Sequence, residues 1–142
     1  MRNLRKKLDI NDMKIFSLFE NITHTHVKDT LNKEDMIVFI VEEGQVGKAV
    51  GKQGANIKKL TRLLRKKIKI VEYSSDLLRF IENVVMPLKT ALVTEEKGVV
   101  TITPPDSNTR GLLIGRGGAN LRLFEEIVKR YYDIKEIKVI SS

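Results

Sequence analysis

The sequence predicts an α+β protein made of two successive copies of one unit, each a three-stranded sheet with helices packed on one face. Three observations predict it. A short glycine turn occurs twice, as "VGKQGANI" (50–57) and "IGRGGANL" (114–121). Apolar residues run at helical and then at alternating spacing in the same order around each turn. The length, 142 residues, suits one ordinary domain or two small ones of about 65 residues each.

The repeat is ordered as well as short. An offset of 64 aligns Gly51 with Gly115 and carries Gly47, Gly54, Ala55 and Asn56 onto Gly111, Gly118, Ala119 and Asn120. Downstream, "KIKIV" (67–71) and "EIKVI" (136–140) align at an offset of 69, so the second copy carries extra residues between helix and strand. A turn, a helix and a strand are therefore duplicated.

The elements follow from period. Ile15, Leu18, Phe19 and Ile22 predict a first helix over about 11–22. "HVKDTLN" (26–32) and "MIVFIV" (36–41) read as strands with "KED" as their turn. A short helix fits 45–50, and Ile57, Leu60, Leu63 and Leu64 line a helix after Gly54. The alternating "KIKIVEY" (67–73) is a strand. In the second copy Asp76 caps a helix with Leu77, Ile81, Val84 and Val85 on one face, and Pro87 follows its end. Strands are expected at about 88–94 and 98–103, with Lys97-Gly98 between them. A short helix opens at Pro104-Pro105-Asp106, and Leu121, Phe124, Ile127, Val128 and Tyr131 line the next. The last strand is expected at about 134–140. The predicted organisation is a basic, disordered arm over 1–10, a first domain over 11–74 and a second over 75–142.

The chemistry lies in the turns. A helix that starts at a glycine turn presents unpaired N–H groups and the positive end of its dipole, which suits a phosphate. Glycine permits a positive φ and lets another backbone approach closely. Lys52 and Arg116 occupy outward positions within the turns. A single GxxG is more often a bare helix-helix turn, but two copies in matching context favour a phosphate clamp. Charge points the same way. Lys plus Arg is 26 against 18 Asp plus Glu, a net charge of +8. From Gly44 to Val71 there are nine basic residues and no acidic one: Lys48, Lys52, Lys58, Lys59, Arg62, Arg65, Lys66, Lys67 and Lys69. A solvated helix face normally mixes signs. The second copy is milder, with Arg110, Arg116, Arg122, Lys129 and Arg130 offset by Glu125 and Glu126.

Other classes are excluded or disfavoured. With no cysteine, disulfides, zinc ribbons and cysteine nucleophiles are excluded. No apolar run reaches the ~18 residues that span a bilayer, and the basic start leads into no signal core; a cytoplasmic protein with no membrane partner is expected. With no Trp, three Tyr and five Phe, a stacking-platform RNA binder is disfavoured. Gly47 to Lys52 is one residue short of a Walker A loop, and Asn120 stands where a dinucleotide fingerprint needs its third glycine. His24 and His26 lack a third metal ligand. No catalytic constellation is present, so the reading carries no enzyme activity, no cofactor, no metal and no small-molecule substrate.

Both turns resemble the KH signature: Val50-Gly51-Lys52-Gln53-Gly54-Ala55-Asn56-Ile57 and Ile114-Gly115-Arg116-Gly117-Gly118-Ala119-Asn120-Leu121, an aliphatic residue, GxxG and a second aliphatic. Two strands precede each motif and one follows, the order of the prokaryotic-type (type II) KH module. Two such modules joined through "VEYSSDLLRFIENVV" (71–85), with "KIFSLFENIT" (14–23) ahead of the first, are similar to the archaeal NusA-like transcription termination/antitermination proteins. The expectation is two modules without the polymerase-binding and OB-fold domains that bacterial members carry.

That resemblance implies single-stranded RNA running along one extended surface. Each GxxG holds RNA backbone, and an apolar groove receives bases. By motif position the RNA-binding residues are Gly51, Lys52, Gln53 and Gly54 with Asn56, Lys58 and Lys59, and Gly115, Arg116, Gly117 and Gly118 with Asn120 and Arg122. Val50, Ile57, Ile114 and Leu121 form the groove floor or simply the core. RNA polymerase is the candidate second partner. The alternatives are a KH protein of the ribosome or of RNA processing, an RNA-positioning subunit of an enzyme, and a protein-protein adaptor.

Overall fold

The computed structural model describes residues 10–141, with side-chain surroundings from Asp12 onward. The predicted basic arm lies outside the described residues as far as residue 9, and Ile10 already belongs to the first helix. The chain divides into two compact units between Ser74 and Ser75.

In the first unit α1 (Ile10–Thr23) leads into β1 (Val27–Asn32) and β2 (Met36–Val41), then α2 (Val46–Val50), α3 (Ala55–Leu64) and β3 (Lys67–Glu72). The sheet order is β1-β2-β3. β1 and β2 pair antiparallel, with Leu31 opposite Val38, while β2 and β3 run parallel from Met36–Lys67 to Val41–Glu72. Parallel neighbours need a crossover. Here α2, the glycine turn and α3 supply it, so the turn is carried on the link between two paired strands. Ile37, Phe39 and Val41 share one face of β2 and pack against Phe19 of α1, Ala49 of α2 and Leu60 of α3. Phe19 stacks on Phe39 with ring centroids 4.2 Å apart. Each such buried ring contributes about 2 kcal/mol of hydrophobic stabilisation. Both helices flanking the turn are thereby fixed to the sheet.

The second unit repeats the order: α4 (Leu77–Val85), β4 (Leu92–Glu96), β5 (Val99–Thr103), α5 (Ser107–Ile114), α6 (Ala119–Lys129) and β6 (Glu136–Val139). Its sheet is β4-β5-β6, again antiparallel then parallel. Phe80, Ile81, Val84 and Val85 form the buried face of α4, and Phe80 meets the edge of Tyr131 at 5.7 Å. Asp76 caps α4 as expected, accepting from the Leu78 N–H at 3.1 Å. Asp106 caps α5 and accepts from the Thr109 N–H at 2.6 Å. That bond holds its carboxyl below the ordinary Asp range. Lys97 (φ 51°) and Gly98 (φ 84°) form a two-residue hairpin turn with both φ positive, the geometry that matches strand twist.

The largest departure from expectation is the start of β4. A strand was expected from about 88, but the Leu88 N–H donates to the Val85 carbonyl at 3.0 Å and closes a turn. Pairing begins only at Ala91, whose N–H meets the Thr103 carbonyl at 2.8 Å.

Lys69 is a second surprise. It lies in β3 opposite Val38, and burial lowers its pKa from 10.5 to about 8. A lowered lysine pKa means the unfolded chain binds more protons between those two values, so stability rises with pH through that window. Lys69→Met is expected to raise stability at pH 7 and to flatten the rise between pH 8 and 10.5. Urea unfolding at a series of pH values checks both. A variant that keeps the rise would assign it to another group.

Candidate functional site

The two glycine turns have nearly the same backbone. Gly51 lies at φ 81°, ψ 165° and Gly115 at φ 75°, ψ 172°. These values belong to a region that is essentially glycine-only. Gln53 (φ 56°, ψ 29°) and Gly117 (φ 60°, ψ 20°) are both left-handed. Gly54 (φ 74°, ψ 19°) and Gly118 (φ 80°, ψ 14°) follow them in the same conformation. Each turn is a single 3-10 turn (Lys52–Gly54 and Arg116–Gly118) wedged between two α-helices.

The same bonds close both. Gly54 N–H donates to the Gly51 carbonyl at 3.0 Å and Gly118 N–H to Gly115 at 3.1 Å. The N–H groups of Ala55 and Ala119 reach the carbonyls of Lys52 and Arg116. The side-chain amide of Asn56 spans the turn to the Lys48 carbonyl at 3.2 Å, and Asn120 does the same to Leu112 at 2.7 Å. Asn56 and Asn120, expected as RNA contacts, thus each commit one donor to tying the incoming helix to the outgoing one. Each amide retains its carbonyl oxygen for other use. The signal was visible in the sequence: the same Gly-Ala-Asn closes both motifs.

Lys52, Gln53, Arg116 and Gly117 sit at the exposed tips. No side chain caps the start of α3 or of α6; the Ala55 and Ala119 N–H groups are bonded within the turns, and the positive end of each helix dipole favours an anion there. Val50, Ile57, Ile114 and Leu121 are each half-buried beside the turns, which suits the floor of a groove.

The acid-free run resolves into two classes. Lys66 is structural: its ammonium donates to Asn32 Oδ1 at 2.9 Å and to the Lys33 carbonyl at 2.8 Å, pinning the β1–β2 turn. Lys69 lies in the sheet. The remaining seven, Lys48, Lys52, Lys58, Lys59, Arg62, Arg65 and Lys67, are all exposed. On α3 the spacing of Lys58 and Arg62 places them opposite buried Leu60, with Lys59 to one side, and Arg65 follows as the left-handed C-cap. In the second unit Arg116 is exposed at the tip, whereas Arg122 donates from Nη1 to the Gly117 carbonyl at 2.6 Å.

Gln53 holds a left-handed backbone without being glycine, which costs about 1 kcal/mol. Gln53→Gly relieves it and gives back part of the gain as lost backbone restriction. The expected net result is a stabilisation of about 0.5 kcal/mol, read from urea unfolding. A loss of stability would mean that the Gln53 side chain makes up for its own strain.

Among the described residues no helix is long and apolar enough to cross a membrane, and none of their His, Asp and Glu side chains form a metal-binding group.

Comparison with known proteins agrees with the geometry. The family described as KH domain matches residues 14–87. The chain is 36% identical over 141 residues to the "Probable transcription termination protein NusA" of Methanococcus vannielii, covering 97% of this chain and 82% of that one. It is 34% identical to the protein of the same name from Methanocaldococcus jannaschii, covering 94% of this chain and 75% of that protein. A solved chain described as "Crystal structure of APE1850" superposes with a TM-score of 0.74 at 29% identity, over 94% of this chain and all of the other. Resemblance to the archaeal relatives runs through both units, and the family match takes in the first turn with all three strands around it: the chain belongs to the archaeal NusA-like family of KH-domain proteins.

Proposed function

We propose that this chain is a single-stranded RNA-binding protein of transcription termination or antitermination, acting in the cytoplasm with RNA polymerase as its protein partner. In this reading each unit is a type II KH module, and each GxxG turn holds a stretch of RNA backbone. The activity is binding, with no chemical step and no cofactor.

One observation carries the reading. Two turns with matching backbone angles are each held by an asparagine bridge, and each opens an uncapped helix. A turn that merely joined two helices would not need the glycine-only backbone of Gly51 and Gly115 in both copies. Nor would it need an acid-free helix behind the first.

The test is titration with short single-stranded RNA at several salt concentrations, with duplex RNA of the same length as control. Tighter binding of the single strand is expected, with log affinity falling linearly in log salt. Equal affinity for the duplex would mean that a basic surface, not a pair of KH clamps, is responsible. Co-purification with RNA polymerase, and not with ribosomes, is expected for a transcription protein; the reverse would move the chain to the ribosomal or RNA-processing KH proteins.

A further inference from the structure

We propose that Arg122 is a positioning residue that sets the second GxxG loop before RNA arrives, while the first loop, with Lys58 in the matching place, takes its final shape on binding. This rests on the RNA-clamp reading above and divides the work of the two clamps.

The loops share their backbone but not their bracing. At the third position of the second loop stands Gly117, the residue with the most conformational freedom. Its carbonyl accepts from Arg122 Nη1 at 2.6 Å, a short, charge-assisted bond. The same guanidinium nitrogen lies 3.1 Å from where a Cβ on Gly118 would be. Arg122 therefore reaches back from the first turns of α6 to the last two glycines of the loop, on the exposed side. With the Asn120 bridge at 2.7 Å, the loop is tied on both sides.

In the first loop the repeat offset puts Lys58 opposite Arg122. Lys58 is exposed and, among the described residues, makes no bond to Gln53. A lysine is a point charge on a flexible stem and does not reproduce the guanidinium fork. The Asn56 bridge is longer, at 3.2 Å. Gln53 holds a left-handed backbone against its own preference, and among the described residues no side chain bonds its carbonyl. The first loop is thus the less constrained of two nearly superimposable turns, and the segment that carries it, residues 44–71, has seven exposed cations.

The consequence for binding is specific. Arg122 raises affinity by holding the tip residues Arg116 and Gly117 in place, not by neutralising a phosphate. A phosphate contact would be lost with its charge and would lower the salt slope by about 0.7 for a single strand. A brace lost with its charge lowers affinity and leaves the slope.

The experiment begins with amide hydrogen exchange on the full chain without RNA, read at Gly118 and Gly54, the paired donors that close the two turns. Arg122→Lys keeps the charge and removes the fork. It is expected to speed exchange at Gly118 by about tenfold, the size of one charge-assisted bond, and to lower the melting temperature by no more than the few degrees that one such bond is worth. Lys58→Arg is the converse and is expected to slow exchange at Gly54 toward the Gly118 rate. Arg122→Gln, titrated with RNA, is expected to lose several-fold in affinity with an unchanged salt slope. Unchanged exchange at Gly118 in Arg122→Lys, or a salt slope reduced by one phosphate in Arg122→Gln, overturns the proposal. The exchange measurements use no RNA, so a chain that failed to bind RNA would defeat the RNA reading and still report on the brace.

Discussion

Gly115→Ala is expected to destabilise the chain by about 3 kcal/mol, combining the strain of a glycine-only backbone with a steric clash. The clash is specific. A Cβ at this position would lie 2.7 Å from Asn120 Cγ, 2.8 Å from its Nδ2 and 2.8 Å from its backbone nitrogen. The backbone nitrogen opens α6 and cannot retreat without moving the helix. The side chain cannot retreat without releasing the Leu112 carbonyl, which would leave that helix-end acceptor without its partner. Gly51→Ala should follow the same logic more gently, since its Cβ would meet Asn56 at 2.9 Å and the backbone nitrogen at 3.1 Å. Gly54→Ala is the control: φ is +74°, but nothing lies within 4 Å, so only the left-handed strain of about 1 kcal/mol applies. For units of this size 1 kcal/mol moves a melting temperature by roughly 4–8 °C. Thermal unfolding should therefore separate Gly115→Ala from Gly54→Ala by roughly 8–16 °C. Equal losses in the two would mean that the asparagine bridge gives way freely and does not hold the turn.

That bridge also marks how far the sequence could be read. The order α-β-β-α-turn-α-β was legible twice because it rests on signals that residue identity carries directly: the unbroken apolar run of β2, alternation in β3, helical spacing in α3 and α6, and glycines at fixed offsets. The parallel pairing of β2 with β3 follows once a helical crossover is seen between them. What was not legible depends on where side chains end. Lys66 and Lys69 look like their neighbours in an acid-free run, yet one pins the β1–β2 turn and the other lies in the sheet with its pKa lowered to about 8. Arg122 reads as one more cation after a GxxG. Only the structure shows its guanidinium on the Gly117 carbonyl. The late start of β4 did have a signal: Pro87 lies inside the Val85–Leu88 turn, and a proline, which lacks an N–H, is disfavoured within a strand.

The reversal of charge at the tips decides the functional reading. Lys52→Asp with Gln53→Asp places two carboxylates on the first turn, and Arg116→Asp with Gly117→Asp does the same on the second. Each pair changes the local charge by three units where a phosphate is expected. The first pair should survive folding well, because aspartate tolerates the left-handed backbone of Gln53 better than most side chains. The second pair replaces Gly117 and should destabilise by about 1 kcal/mol, so its melting curve must be recorded beside its titration. Affinity for short single-stranded RNA is expected to fall by roughly tenfold to a hundredfold in each, the loss of one or two phosphate contacts together with new repulsion. The first pair should lose more and should flatten the salt dependence more, because the acid-free segment that carries the first turn has seven exposed cations. In the second unit Arg122 is already engaged with Gly117. Neutral replacements at the same positions, Lys52→Gln and Arg116→Gln, should give smaller losses and locate the charge contribution by difference. Full affinity in both charge-reversed pairs, with both still folded, would sink the RNA-clamp reading, because a backbone phosphate would not sit against two carboxylates without loss. A loss confined to the first pair would instead leave the chain with one working clamp and a second turn kept for its fold alone.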